Sequence, residues 1–99
     1  MTSYAVGFHP AARHELLEAA DFYDLESRGL GTEFLNEVER AMVNIIAHPE
    51  ASPALLGSVR KRAIARFPYS VVYSVSEVGV CVSAIAHNSR RPFYWRGRL

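Results

Sequence analysis

The hydrophobic period of this chain shifts from helical to strand-like near residue 58, and that change restricts its possible folds more than any other feature. In "PAARHELLEAADFYDLES" (10–27), Ala12, Leu16, Ala19, Ala20 and Tyr23 recur at helical spacing and leave Glu15, Glu18, Asp21 and Asp24 mostly toward water. Pro10 suits a first helical turn, where its missing N–H is no loss. "RGLG" (28–31) breaks this helix, because glycine readily takes the left-handed conformation that ends one. Thr32 is placed to cap a second helix, and Glu33 favours its positive N-terminal end. Phe34, Val38, Ala41, Met42, Ile45 and Ile46 form the apolar stripe of that helix, which "HP" (48–49) stops. Two such helices, each of about 15–20 residues with a short link, form an antiparallel hairpin.

Beyond residue 58 the period is two. "SVRKRAIARF" (58–67) places Val59, Ala63, Ala65 and Phe67 on one face and Arg60, Arg62, Ile64 and Arg66 on the other. Lys61 falls on the apolar face, so it lies near an edge or snorkels outward. "YSVVYSV" (69–75) alternates Tyr69, Val71, Tyr73 and Val75 against Ser70, Val72 and Ser74, "SEVG" (76–79) turns, and "VCVSAIAH" (80–87) is a last strand. "YAVGFH" (4–9), with Tyr4, Val6 and Phe8 on one face, is a short first strand. The order is β-α-α-β-β-β: an α+β fold with a helical hairpin on a small, twisted, mainly antiparallel sheet.

At 99 residues the chain is expected to be one domain, 1–99. With 49% hydrophobic residues it has the apolar content for a core. No apolar run approaches the ~20 residues of a membrane span. The opening "MTSYAVGFHP" has no basic segment followed by an apolar one. Cys81 is the only cysteine, which suits a reducing compartment, and the expected location is the cytoplasm.

Charge divides the chain. Residues 1–50 carry nine acids against three arginines, a charge of −6; residues 51–99 carry eight basic residues against Glu77, a charge of +7. Such asymmetry points to a charged partner, or to two solvated faces of opposite sign. Two groups of basic residues stand out. Arg60, Arg62 and Arg66 align at period two, and their guanidinium groups suit phosphates or the acidic side chains of a protein. The terminal "IAHNSRRPFYWRGR" (85–98) sets Tyr94 and Trp95 among Arg90, Arg91, Arg96 and Arg98. Aromatic and arginine residues together stack on bases or anchor protein interfaces, and Phe93 or Trp95 could instead fold back to seal the core. His87 ends the last strand beside this cluster and could move a proton near neutral pH. His9, His14 and His48 have no metal-ligand spacing. No Ser–His–acid pattern, glycine-rich phosphate loop or zinc pattern is present, so neither a metal nor a cofactor is expected.

Four stretches, "FHPAARHELLEAADFY", "GLGTEFLNEVERAMVNIIAHP", "VRKRAIARFPYSVVYSV" and "AIAHNSRRPFYWRGR", carry a resemblance over nearly the whole chain. The chain resembles the RelE/ParE superfamily of toxins from bacterial type II toxin–antitoxin modules, also called plasmid-stabilisation proteins, and is nearer the ParE-like branch. The resemblance implies a growth-inhibiting toxin with a β-α-α-β-β-β fold, held in a heteromeric complex by a cognate antitoxin. ParE-like members inhibit DNA gyrase; RelE-like members cut mRNA in the ribosome. In the cutting branch an arginine commonly follows the tyrosine of the third-strand motif, where this chain has Ser70. A second arginine commonly lies about six residues before the terminal tyrosine, where it has Asn88, and a second-strand basic residue is replaced by Ala63. Lys61 and Tyr94 do match. The expectation is a toxin that acts by binding gyrase, through Arg60, Arg62, Arg66, Arg90, Arg91, Tyr94 and Arg96. The alternatives are a ribosome-dependent endoribonuclease using His87, Arg90, Tyr94 and Lys61, and a nucleic-acid-binding module without toxicity.

Overall fold

The computed structural model describes residues 5–99. In chain order it contains β1 (Ala5–Phe8), α1 (Pro10–Glu26), α2 (Leu30–Ala47), β2 (Ala54–Leu56), β3 (Val59–Ala63), β4 (Tyr69–Ser76), β5 (Gly79–His87) and a final 3-10 turn (Arg96–Arg98). Tyr4, assigned to the first strand from sequence, lies outside the described residues. The sheet order is β1-β5-β4-β3-β2, with β1 parallel to β5 and every other pair antiparallel. The α+β reading therefore holds, with one added strand: β2, three residues long, which pairs with β3.

The helical hairpin packs on one face of the sheet. Ala12, Ala19 and Ala20 of α1 and Phe34, Val38, Ala41, Met42 and Ile45 of α2 meet Val71, Tyr73, Val80, Val82 and Ile85. Small residues on α1 allow close approach, and Gly31 of α2 lies so near that a Cβ there would collide with the Ala20 carbonyl. The turn differs in detail from expectation. Gly29, at φ 88°, reverses the chain, and α2 already begins at Leu30. Its N-terminal cap comes from α1, not from Thr32: the Asp24 carboxylate accepts the Gly31 N–H at 2.7 Å. An acid read as solvent-facing thus fastens one helix to the next.

The strand read over 58–67 ends at Ala63. Ile64 follows the Arg60–Arg62 alternation into the helix-side core, and the turn at Arg66, with φ 71°, brings Phe67 into the same core while Ala65 stays exposed. The three arginines accordingly form no row. Arg60 and Arg62 pair with Tyr73 and Val71, which puts them on the helix side of the sheet. Arg60 donates to the carbonyls of Glu50 (3.3 Å) and Ser52 (2.6 Å), pinning the loop after α2. Arg66 pairs with Glu33 at 3.0 Å. Lys61, one residue out of phase, faces the other side of the sheet.

On that other side a second, smaller core forms from Val59, Val72, Ala84 and Ala86, covered by Trp95. Trp95 is 4% exposed, so of the terminal aromatics it is the one that folds back, while Phe93 is 44% exposed. A bulge makes room for both cores. Val72 pairs with Ala84 and Tyr73 with Val82, leaving Ser83 with no partner on β4. The extra residue reverses the facing of the strand, so Val82 and Ile85 both reach the helices while Ala84 and Ala86 reach Trp95.

Candidate functional site

Pairing of β1 to β5 stops at Phe8 and Val82 as the chain enters α1, and the upper part of β5 is left with an open edge. Glu15 fills it. Its Oε1 accepts the Ile85 N–H at 3.1 Å, and the terminal segment closes over the same carboxylate. Arg98 donates to both oxygens, Nη1 to Oε1 at 2.8 Å and Nη2 to Oε2 at 3.0 Å, while the Tyr94 hydroxyl donates to Oε2 at 2.7 Å. Arg98 Nη1 also reaches the carbonyl of the bulged Ser83 at 3.1 Å. Burial opposes charge on Glu15, but the hydrogen bonds from Arg98, Tyr94 and Ile85 outweigh it and hold the carboxyl below its ordinary pKa. Burial and the bond to Glu15 push the Tyr94 phenol far up, and Glu15 holds Arg98 protonated. The tail is therefore fixed by a half-hidden ionic clasp on one side and the Trp95 plug on the other.

Fixing the tail creates a cleft of about 130 Å³ between it and the sheet. Val72 and Ala86 form its floor, Lys61 and Leu55 one wall, and His87, Asn88 and residues 90–95 the other. Of the residues singled out from sequence, Lys61, His87, Arg90, Arg91 and Tyr94 meet here; Arg60, Arg62 and Arg66 do not, and Arg96 is exposed on the last turn. The Arg90 guanidinium stacks on the Tyr94 ring, 3.9 Å from its centroid. His87 Nδ1 accepts from the Ser89 N–H at 3.1 Å and lies 2.6 Å from Ser89 Oγ, with its ring edge-on to Tyr69. In the neutral ring this leaves the proton on Nε2.

Ser70 and Asn88, eighteen residues apart, are neighbours at the end of this cleft: Ser70 Oγ donates to Asn88 Oδ1 at 2.7 Å. Two positions considered separately in the sequence thus belong to one place, and here they satisfy each other as a neutral pair. Chemically the site offers cations and hydrogen-bond donors on a rigid frame. Among the described residues no group of three or more His, Cys, Asp or Glu side chains could hold a metal ion, and no helix is long and apolar enough to cross a membrane.

Glu15 was not singled out as a functional residue in the sequence. The available signal is its position: it sits between Ala12 and Ala19, three residues after one buried alanine and four before another, on the border of the apolar face. Nothing in the sequence marks Arg98, among the four arginines of the tail, as the one that turns inward.

Residues 6–92 match the family model described as the ParE toxin of type II toxin–antitoxin system, parDE. Among curated protein sequences none matches the chain. In fold it is similar to a chain of the chromosomal ParDE TA system from P. aeruginosa, with a TM-score of 0.72 over 85% of this chain and 95% of that one, at 16% sequence identity.

Proposed function

This chain belongs to the family of ParE toxins of type II toxin–antitoxin systems, and we propose that it arrests growth by binding DNA gyrase, without cutting nucleic acid. The observation that carries the second half is the Ser70–Asn88 hydrogen bond at 2.7 Å. RNA cleavage needs a base for the 2′-hydroxyl, cations for the phosphate and an acid for the leaving oxygen. Where cleaving relatives commonly set two arginines, this site has an internally satisfied hydroxyl–amide pair. Tyr94 is also poorly suited to exchange its proton, because Glu15 holds the hydroxyl and its pKa is raised. Losing one preorganised charge-stabilising group can lower a rate by about 10²–10³.

The exposed arginines of the tail, Arg90, Arg91 and Arg96, are the proposed target contacts. Arg60 is occupied in pinning its loop, so it serves the fold first. A cognate antitoxin neutralises the toxin by presenting acidic side chains to the basic half, Arg62, Arg66 and the tail included. The endoribonuclease is the second reading, favoured by the meeting of Lys61, His87, Arg90 and Tyr94 in one cleft. The test of the first is gyrase-driven supercoiling of relaxed plasmid with increasing purified protein. Supercoiling is expected to fail with the wild type and to persist with an Arg90→Ala, Arg91→Ala variant. Supercoiling untouched by the wild type would refute the gyrase assignment.

A further inference from the structure

A second groove, of about 310 Å³, lies between the tail and α1, and it shares only His87 and Arg90 with the tail–sheet cleft. Its two walls differ in sign. Glu18 and Phe22 stand on the α1 wall, His87 and Arg90 on the other. Glu15 also lines it, but its charge is matched by Arg98.

The walls do not close on each other. Arg90 lies on the Tyr94 ring and, among the described residues, pairs with no carboxylate. Glu18 meets His14, one turn earlier on its own helix, at 3.4 Å, and its side chain is 67% exposed. Opposite charges are thus left unmatched on facing walls. Apolar surface extends the acidic wall outward. Glu18, Phe22 and Leu25 stand at i, i+4 and i+7, on a stripe of α1 turned away from the core. Phe22 is 54% exposed and Leu25 89%. Single exposed apolar residues are ordinary, but these two adjoin the unmatched charges.

A groove with one acidic and one basic wall is self-complementary. A two-fold axis through it sets each wall against the opposite wall of another copy. We propose that a second copy of this chain occupies the groove, in a two-fold dimer that sets Glu18 of each copy against Arg90 of the other and packs the two Phe22 rings near the axis. A wholly acidic or wholly basic partner would match one wall and meet like charge at the other, whereas a second copy matches both. The net charge of +1 lets copies approach with little repulsion. An exposed aromatic between charged groups is the usual anchor of such a contact. The dimer covers Arg90, so paired copies would be unable to engage the target. That consequence rests on Arg90 as a target contact; the association itself does not.

Sedimentation equilibrium of the purified full-length protein, over a range of concentrations at low and high salt, tests it. A reversible dimer is expected, dissociating as salt screens the walls. Glu18→Arg and Arg90→Glu each set like charges against one another. An exposed charge pair is worth about 3-fold in affinity. The two-fold makes each contact twice and reversal turns attraction into repulsion, so four such factors should weaken each single variant by about 80-fold. In an equimolar mixture of the two variants both contacts regain opposite signs, and the mixed dimer should form about as tightly as wild type. Circular dichroism and thermal melting establish that both variants are folded. Wild type that stays monomeric at every concentration and salt would overturn the proposal. So would folded single variants that dimerise like wild type, a mixture that stays monomeric, or a mass that grows beyond two copies. A monomeric toxin whose affinity for its antitoxin falls with Glu18→Arg would give the groove to the antitoxin instead. Gyrase plays no part in these measurements, so failure of the supercoiling assay leaves the dimer standing.

Discussion

Removing the Glu15 carboxylate, as in Glu15→Ala, should unfasten the tail at a cost that the geometry fixes. Four hydrogen bonds converge on it, from Ile85 N at 3.1 Å, Tyr94 at 2.7 Å and Arg98 at 2.8 and 3.0 Å. Its side chain is 13% exposed and that of Arg98 18%. Removing one partner of a buried ion pair costs about 3–5 kcal/mol, because the other charge is stranded. Arg98 keeps some contact with water, so the lower end applies, about 3 kcal/mol, a large part of the 5–15 kcal/mol or so that stabilises a typical domain. Acid should reproduce the loss. The folded-state pKa of Glu15 lies below its unfolded value, so its contribution is fully present above the unfolded value of about 4.3 and disappears as pH falls through the folded one. Urea unfolding followed by circular dichroism should show the full difference between wild type and Glu15→Ala at pH 7, narrowing as pH is taken below about 4.3. A difference under ~1 kcal/mol at pH 7 would match an ordinary surface pair and refute the clasp; so would a difference that acid leaves unchanged.

Trp95→Ala should cost roughly 3–5 kcal/mol, the loss of a buried large aromatic, and lower the melting temperature; a variant as stable as wild type would show that the second core does not need its cover. Arg90→Ala with Arg91→Ala should leave melting nearly unchanged and reduce growth inhibition, since both side chains are exposed. Full toxicity of that folded variant would remove the tail from the target contacts. Association with the antitoxin should slow as salt rises, because exposed charges of opposite sign steer encounter and are screened. An association rate indifferent to salt, measured in a stopped-flow experiment, would contradict the proposed acidic docking.

Elements with strong periodicity were legible from sequence, and failures fall where a tertiary contact decides. The alanines of α1 and the stripe from Phe34 to Ile45 mark their helices by spacing alone, and Tyr69 to Val75 marks its strand by alternation. β2 is three residues long, too short for a period to show, and exists because β3 offers it a partner. The alternation that aligned Arg60, Arg62 and Arg66 is valid only while the backbone stays extended, and it stops at Ala63, three residues before Arg66 takes φ 71°. The facing of the last strand changes at the unpaired Ser83, which no local pattern announces. The cleft was half-visible: His87, Arg90 and Tyr94 were grouped by proximity in sequence and Lys61 by resemblance. Glu15 comes from the far end of the chain, and only the fold brings it to Arg98. Lys61, the residue that broke the strand pattern, proves to face the tail.

The claim that the tail site binds without cutting is tested most directly by mapping mRNA 5′ ends after purified protein is added to actively translating ribosomes. The account predicts the same ends with and without the protein, at concentrations that abolish gyrase supercoiling in parallel. New ends at defined codons, lost in a folded His87→Ala or Tyr94→Phe variant, would contradict it and establish the cleft as a ribonuclease centre.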